Sequence, residues 1–274
     1  MHFKLLLSLL ITMGFQSLVA QENKLWNTKK CAVVLTYDDA LNEHLDNVIP
    51  ALDEHGLRAT FYLIGESETL NKRLDEWRSA AQNGHELGNH SLTHPCINKP
   101  GRKKPLSPEK DLANFTLDRV VNEIKITNTL LHSIDGKTER TFAYPCGHMK
   151  IDSVLFFPYL KGEFIAARGV KRNMMTAGQI DLDDINCFGM KGHTGQEMKQ
   201  LVDQAIESNT LLVFLFHGVG GGSPLNVSVE AHQELIAYLR EKQDEIWIAP
   251  LVEVAKYIKT RTPQNKPKTI EKNK

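Results

Sequence analysis

The chain has 274 residues, 41% hydrophobic and 24% charged, an ordinary globular composition with enough apolar material for one sizeable core. Its 33 basic and 33 acidic residues cancel, which argues against nucleic acid or an anionic membrane as the main partner.

The N-terminus reads as a secretory signal peptide over residues 1–20. Lys4 is a short positive region, 5–19 is an apolar run, and Ala20-Gln21 is a cleavage point. The run is short for a permanent membrane span, which takes about 20 residues. No cysteine follows the cut, which argues against a lipid anchor. The expected location is periplasmic or secreted. The mature domain then covers residues 21–258, and the charged, Pro-containing segment 259–274 reads as a disordered tail.

Cys31-Ala-Val-Val-Leu-Thr-Tyr-Asp-Asp39 reads as a buried strand ending in two adjacent carboxylates. Residues 43–55 have helical spacing, 58–64 read as a strand, 68–82 as a helix and 85–89 as a short strand. This alternation predicts βαβ units and a parallel sheet or barrel. Residues 98–114 break the rhythm with Pro100, Gly101, Pro105 and Pro108, and carry Lys99, Arg102, Lys103 and Lys104. They read as a basic loop, either a solvated insertion or a rim that touches the ligand. A helix over 115–132 and strands at 141–144 and 163–167 follow. Residues 169–195 are poorly patterned and cluster Asp181, Asp183 and Asp184. A helix at 196–208 precedes the strongest strand, 210–216, which runs into His217 and the glycines of 218–222. A helix at 229–242, a strand at 246–248 and a helix at 251–258 complete the domain. The four cysteines, Cys31, Cys96, Cys146 and Cys187, allow three pairings. Buried free thiols or a single disulfide are both compatible with export.

Chemistry concentrates at strand ends, where parallel α/β folds build their sites. Adjacent acids disfavour joint ionisation, so Asp38-Asp39 calls for a positive partner, and a metal ion fits. His90 and His94 are spaced to share one face of a helical turn. Two imidazoles and a carboxylate form an open site for zinc or a similar divalent ion, and His217 arrives at another strand end.

Thr36-Tyr-Asp-Asp39, Gly84-His-Glu-Leu-Gly-Asn-His-Ser-Leu-Thr-His-Pro95, Phe142-Ala-Tyr-Pro-Cys-Gly147 and Leu215-Phe-His217 together closely resemble the polysaccharide deacetylases of carbohydrate esterase family 4, the NodB homology domain. The motifs keep the family's order and span residues 31–258. The resemblance implies a single-domain α/β fold, a distorted (β/α)7 barrel, and metal-dependent removal of N- or O-linked acetyl groups from a carbohydrate polymer or oligomer. It implies Asp39, His90 and His94 as ligands of a divalent metal, zinc first with cobalt or nickel as alternatives. Asp38 then resembles the catalytic base, His217 the catalytic acid, and the backbone N–H of Cys146 an oxyanion donor. Leu215 and Tyr144 resemble substrate-binding positions.

Two departures stand out. The Arg that opens the family's third motif is replaced by Ala143, and the aromatic residue near the oxyanion position is Cys146. The fourth motif, an Asp and a Trp, is not recognisable. Arg168 is a candidate replacement for the missing Arg, the alternative being a surface salt bridge. Asp181, Asp183 or Asp184 is a candidate to orient His217. His44, His55, His132, His148, His193 and His232 read as surface or structural, and His85 as a support for the second motif. The glycines after His217 match no phosphate loop. Two other functions remain compatible with the residues: an amidase for small non-sugar amides, and an inactive carbohydrate-binding relative.

Overall fold

Strand β1, Cys31–Asp38, is buried along its whole length, and its alternate residues serve two layers. Cys31, Val33, Leu35 and Tyr37 pack outward against the surrounding helices, while Ala32 and Val34 face an interior cluster. By the same parity Thr36 and Asp38 point inward. A computed structural model supplies the architecture and describes residues 26–99, 101 and 105–261. The signal-peptide reading, Arg102 to Lys104 of the basic loop and the segment beyond Arg261 lie outside the described residues.

The other strands of the main sheet are β2 (Thr60–Leu63), β3 (Glu86–Asn89), β4 (Thr141–Ala143), β5 (Ala166–Arg168), β6 (Phe188–Gly189), β7 (Leu211–Phe216) and β8 (Ile246–Ile248). They pair in parallel in the order β5-β4-β3-β2-β1-β7-β6. The two ends then meet. Arg168 of β5 forms a parallel bridge with Ile185, just ahead of β6, and Gly169 N donates to Ile185 O at 2.9 Å. The ring is thus a distorted (β/α)7 barrel. The distortion is local: β8 takes the edge of β1 at Cys31–Val33, and β2 takes the same edge only from Thr36 to Asp38.

Helices α1 (Ile49–Glu54), α2 (Glu68–Lys72), α3 (Leu74–Gln82), α4 (Leu117–Asp135), α5 (Gly195–Ser208), α6 (Val229–Glu241) and α7 (Leu251–Arg261) complete the fold. The expected helix over 68–82 is two helices. The break is at Arg73, which leaves helical geometry at φ −129° and sends its guanidinium to Asp46 and Glu76, 2.6 Å from each. The last helix runs to Arg261 rather than ending at 258. Among the described residues no helix is long and apolar enough to cross a membrane.

Helix α7 closes the barrel floor, packing Leu251, Val254, Ala255 and Ile258 against the inward residues. Its N-terminus is held by a buried carboxylate. Glu86 Oε1 accepts from Thr141 N and Thr141 Oγ1, at 2.6 and 2.8 Å. Oε2 accepts from Thr60 Oγ1 and Val252 N, at 2.7 and 3.0 Å. Burial pushes this carboxyl up, and the four donors oppose that shift. Because each oxygen faces one backbone N–H, a glutamine amide must turn its NH2 against a donor in either orientation. Glu86→Gln is therefore expected to destabilise the fold by about 2–3 kcal/mol, read as a lower urea midpoint at unchanged slope. An unchanged midpoint would mean the carboxylate is not what secures α7.

Candidate metal centre and active site

Parity aims Asp38 into the barrel mouth, and the next two residues reverse the chain. Asp39 and Ala40 sit in the left-handed region at φ 82° and 53°, unfavourable for residues with a Cβ. Thr69 Oγ1 donates to Ala40 O at 2.7 Å and holds the turn.

Facing this turn is the loop after β3. The spacing of His90 and His94 predicts a shared helical face, yet the segment is not helical. Ser91 and His94 adopt positive φ, 64° and 53°. The loop is tied by Ser91 N donating to Asn89 Oδ1 at 2.8 Å and His94 N donating to Ser91 Oγ at 3.1 Å. It brings the two rings to 4.6 Å between centroids. His90 Nε2 and His94 Nε2 lie 3.6 and 3.5 Å from Asp39 Oδ1.

The donor set fits a metal ion. His90 Nδ1–H donates to Ala143 O at 2.9 Å, which leaves the Nε2 lone pair toward Asp39, as a ligating histidine requires. Burial lowers the His90 pKa and brings that of His94 to about 4, so both rings are neutral near pH 7. Asp39 Oδ1 is buried without a hydrogen-bond partner. Three donor atoms therefore converge around an unpartnered carboxylate oxygen, an arrangement a divalent cation relieves. A second group, His94, Cys96 and Cys146, also clusters, but its two sulfurs form a disulfide and offer no thiolates.

Arg168 reaches Asp38 from the opposite wall. It is fully buried, its Nη2 donates to Asp38 Oδ2, and its Nη1 donates to Gly169 O at 2.9 Å. Its guanidinium carbon lies 5.1 Å from the centroid of the Tyr62 ring. Gly88 makes room for that ring, since a Cβ there would stand 2.6 Å from it. The surface salt bridge weighed from sequence is thus excluded for Arg168. Burial alone would raise the Asp38 carboxyl, but the Arg168 guanidinium outweighs it and holds the group below the usual range.

His217 follows β7 and places Nε2 4.0 Å from Asp39 Oδ2. Its Nδ1 is buried without a partner. None of Asp181, Asp183 and Asp184 supplies one, contrary to expectation. Asp183 O accepts from Tyr144 at 2.8 Å, and Asp184 lies against Gly169. Tyr144 is also elsewhere than expected. It is 1% exposed in an aromatic cluster with Phe142, Phe156 and Phe157, so it presents no surface to a ligand. Its neighbour Ala143 faces inward, and strand parity sends Tyr144 out. Leu215, two residues before His217, is inward and nearly buried.

Cys146 pairs with Cys96, which settles the three pairings; Cys31 and Cys187 are buried thiols. Cys146 has φ 54° in the loop after β4. His85 accepts from Ala59 N through Nδ1 at 3.1 Å and donates to Asp53 through Nε2 at 3.2 Å, a support for β3. His44, read as structural, reaches the site instead: its Nε2–H donates to His217 O at 2.7 Å. An open groove of about 530 Å³ adjoins the centre, lined by Asp39, Asn42, Glu43, Glu66, Thr93 and Lys110 among others. Lys110 is paired with Glu66.

The fold and site together define a parallel α/β barrel with an Asp-His-His cluster able to hold a metal ion and a second, Arg-braced carboxylate at its mouth. Known proteins narrow the class. Residues 26–155 match the family model described as polysaccharide deacetylase. A peptidoglycan-N-acetylglucosamine deacetylase of Bacillus cereus is 24% identical over 216 residues, 78% of this chain and 65% of that protein. A peptidoglycan-N-acetylmuramic acid deacetylase of Bacillus subtilis is 28% identical over 126 residues, 44% of this chain and 40% of that one. The chain thus spans less than two thirds of these curated relatives. A solved Mycobacterium smegmatis protein assigned to the polysaccharide deacetylases has the same fold, with a TM-score of 0.58 at 14% identity over 86% of this chain and 93% of that one. The matched segment, residues 26–155, thus resembles the polysaccharide deacetylases of carbohydrate esterase family 4, with a NodB-type domain.

Proposed function

We propose that this protein is an exported deacetylase that removes acetyl groups from a carbohydrate polymer or oligomer with a divalent metal ion held by Asp39, His90 and His94. The observation that carries the reading is the division between the two carboxylates. Asp39 faces neutral imidazoles, while Asp38 is held ionised by Arg168. A bound divalent ion, zinc first given the N/O donor set and cobalt or nickel otherwise, would acidify a water and polarise the acetyl carbonyl. Asp38 takes the proton of the attacking water. His217 gives a proton to the leaving nitrogen or oxygen. The backbone N–H of Cys146 donates to the developing oxyanion, and Leu215 bounds the acetyl methyl. Arg168 acts through Asp38.

The groove favours a glycan over a small amide. It is open to solvent and lined by side chains that can accept from or donate to sugar hydroxyls. The named relatives act on peptidoglycan, which puts an N-acetylated cell-wall glycan first among substrates, with chitooligosaccharides and acetylated xylan next. A disulfide suits the oxidising surroundings of a periplasmic or secreted protein.

The test is acetate release from peptidoglycan, chitooligosaccharides and acetyl-xylan. Release is expected with zinc, should vanish with a chelator, and should return on adding zinc back. His94→Ala is expected to lose both metal and turnover. A metal-loaded wild type that releases no acetate from any of these, yet binds them as well as Asp38→Ala does, would make the protein a carbohydrate binder instead.

A further inference from the structure

We propose that His44 is the positioning residue of His217, joining the turn that carries Asp39 to the loop that carries His217. Its kinetic consequence rests on the deacetylase reading.

His44 is fully buried at the start of the π-helical segment His44–Val48, which leads into α1. Leu41 N donates to its Nδ1 at 3.3 Å, and its Nε2–H donates to His217 O at 2.7 Å. A backbone N–H only donates and a carbonyl only accepts, so the ring is fixed as the neutral Nε2–H tautomer. Burial favours the same state, bringing its pKa down to about 4. The ring cannot slide. It stands edge-on to Tyr37 at 5.7 Å and tilted against Phe61 at 5.8 Å. Tyr37 in turn is stacked between Phe61 and Phe216 at 5.1 and 5.2 Å. Strands β1, β2 and β7 therefore set where this imidazole lies, and the imidazole sets where two active-site loops lie.

Both loops need such a tie. Asp39 and Ala40 hold left-handed conformations that the surroundings must enforce. His217 has no side-chain partner at Nδ1, so no hydrogen bond to its ring fixes it from behind. The bond from His44 to its carbonyl anchors the residue at the main chain. It sets the 4.0 Å separation of His217 Nε2 from Asp39 Oδ2.

Two near-isosteric variants separate the two bonds. In His44→Gln the amide NH2 takes the place of Nε2 and keeps the donor to His217 O. In His44→Asn the amide oxygen takes the place of Nδ1 and keeps only the acceptor for Leu41 N. His44→Gln is expected to stay within about 3-fold of wild-type kcat, and His44→Asn to lose about 30- to 100-fold, the scale of a sub-ångström to 1 Å misplacement. KM should change less than about 2-fold in both; zinc affinity should hold in His44→Asn, which keeps the acceptor for Leu41 N, and weaken in His44→Gln, which loses it. A second readout needs no turnover: His217 carbethoxylation by diethylpyrocarbonate, followed by mass spectrometry, should be several-fold faster in His44→Asn than in wild type or His44→Gln. Equal kcat losses in the two variants, or an unchanged His217 modification rate in His44→Asn, would overturn the proposal. If wild type releases no acetate, the deacetylase reading fails and the modification rate still decides the role of His44.

Discussion

Arg168→Met is expected to cost about 3–5 kcal/mol of folding stability and at least about 10²-fold in acetate release. Asp38 and Arg168 are both nearly inaccessible to water, so in the metal-free protein removing the guanidinium leaves a carboxylate in the barrel with no compensating charge. Part of that cost should disappear in the double variant Asp38→Asn/Arg168→Met, which buries no charge. The two substitutions should therefore be non-additive in stability, with the double variant more stable than Arg168→Met alone. Turnover should not recover, because Asp38→Asn also removes the base. Arg168→Lys keeps the charge but not the fork that serves Asp38 Oδ2 and Gly169 O together, and should fall between wild type and Arg168→Met. The sign with pH is fixed by the lowered Asp38 pKa. The pair's contribution is present above the ordinary carboxylate value of about 3.9 and is lost as pH falls through the lower folded value. The comparison belongs near pH 7, by urea denaturation. Additive stability changes would mean that Asp38 does not depend on Arg168.

Arg168 was legible because a short apolar strand, Ala-Ala-Arg, ends in a cation at the level where Asp38 ends β1. The ring of strands was legible for a similar reason. Buried parallel strands are nearly continuous apolar runs, and each active-site residue closes one of them. Tyr144 shows a signal left unused: an inward Ala143 already commits its neighbour to the outer layer. Other features had no local signal. The left-handed turns at Asp39, Ala40, Ser91 and His94 occur at residues that do not advertise positive φ. The break at Arg73 answers to Asp46, on another element. The partner of His44 is a backbone carbonyl 173 residues away, and carbonyls leave no trace in side-chain chemistry. The cysteine pairing likewise depended on the parallel pairing of β3 with β4, which sets the loops after them side by side.

That pairing carries the other large effect. Reducing Cys96–Cys146, or replacing both by Ser, should cost about 4 kcal/mol from the 50-residue separation alone. It should also weaken zinc binding by about 10-fold or more, as losing an outer support of a metal ligand does. The second expectation follows from what the bond joins. Cys96 is two residues from His94, whose Nδ1 lies 3.6 Å from its sulfur, and His94 sits at a positive φ. Cys146 sits at a positive φ too, on the loop proposed to offer its N–H to the oxyanion. Neither loop is regular structure at these residues, so the cross-link sets the distance between a proposed metal ligand and a proposed oxyanion donor. A phosphine should be the reductant, because a dithiol would itself bind zinc. Cys31 and Cys187 are thiols already, so reduction changes only this bond. Chelator competition on oxidised and reduced protein, both below their unfolding transitions, separates the two effects. If the reduced protein unfolds more easily but holds zinc as tightly, the disulfide is a staple for the fold. If zinc affinity falls while the far-UV spectrum is unchanged, it is a brace for His94.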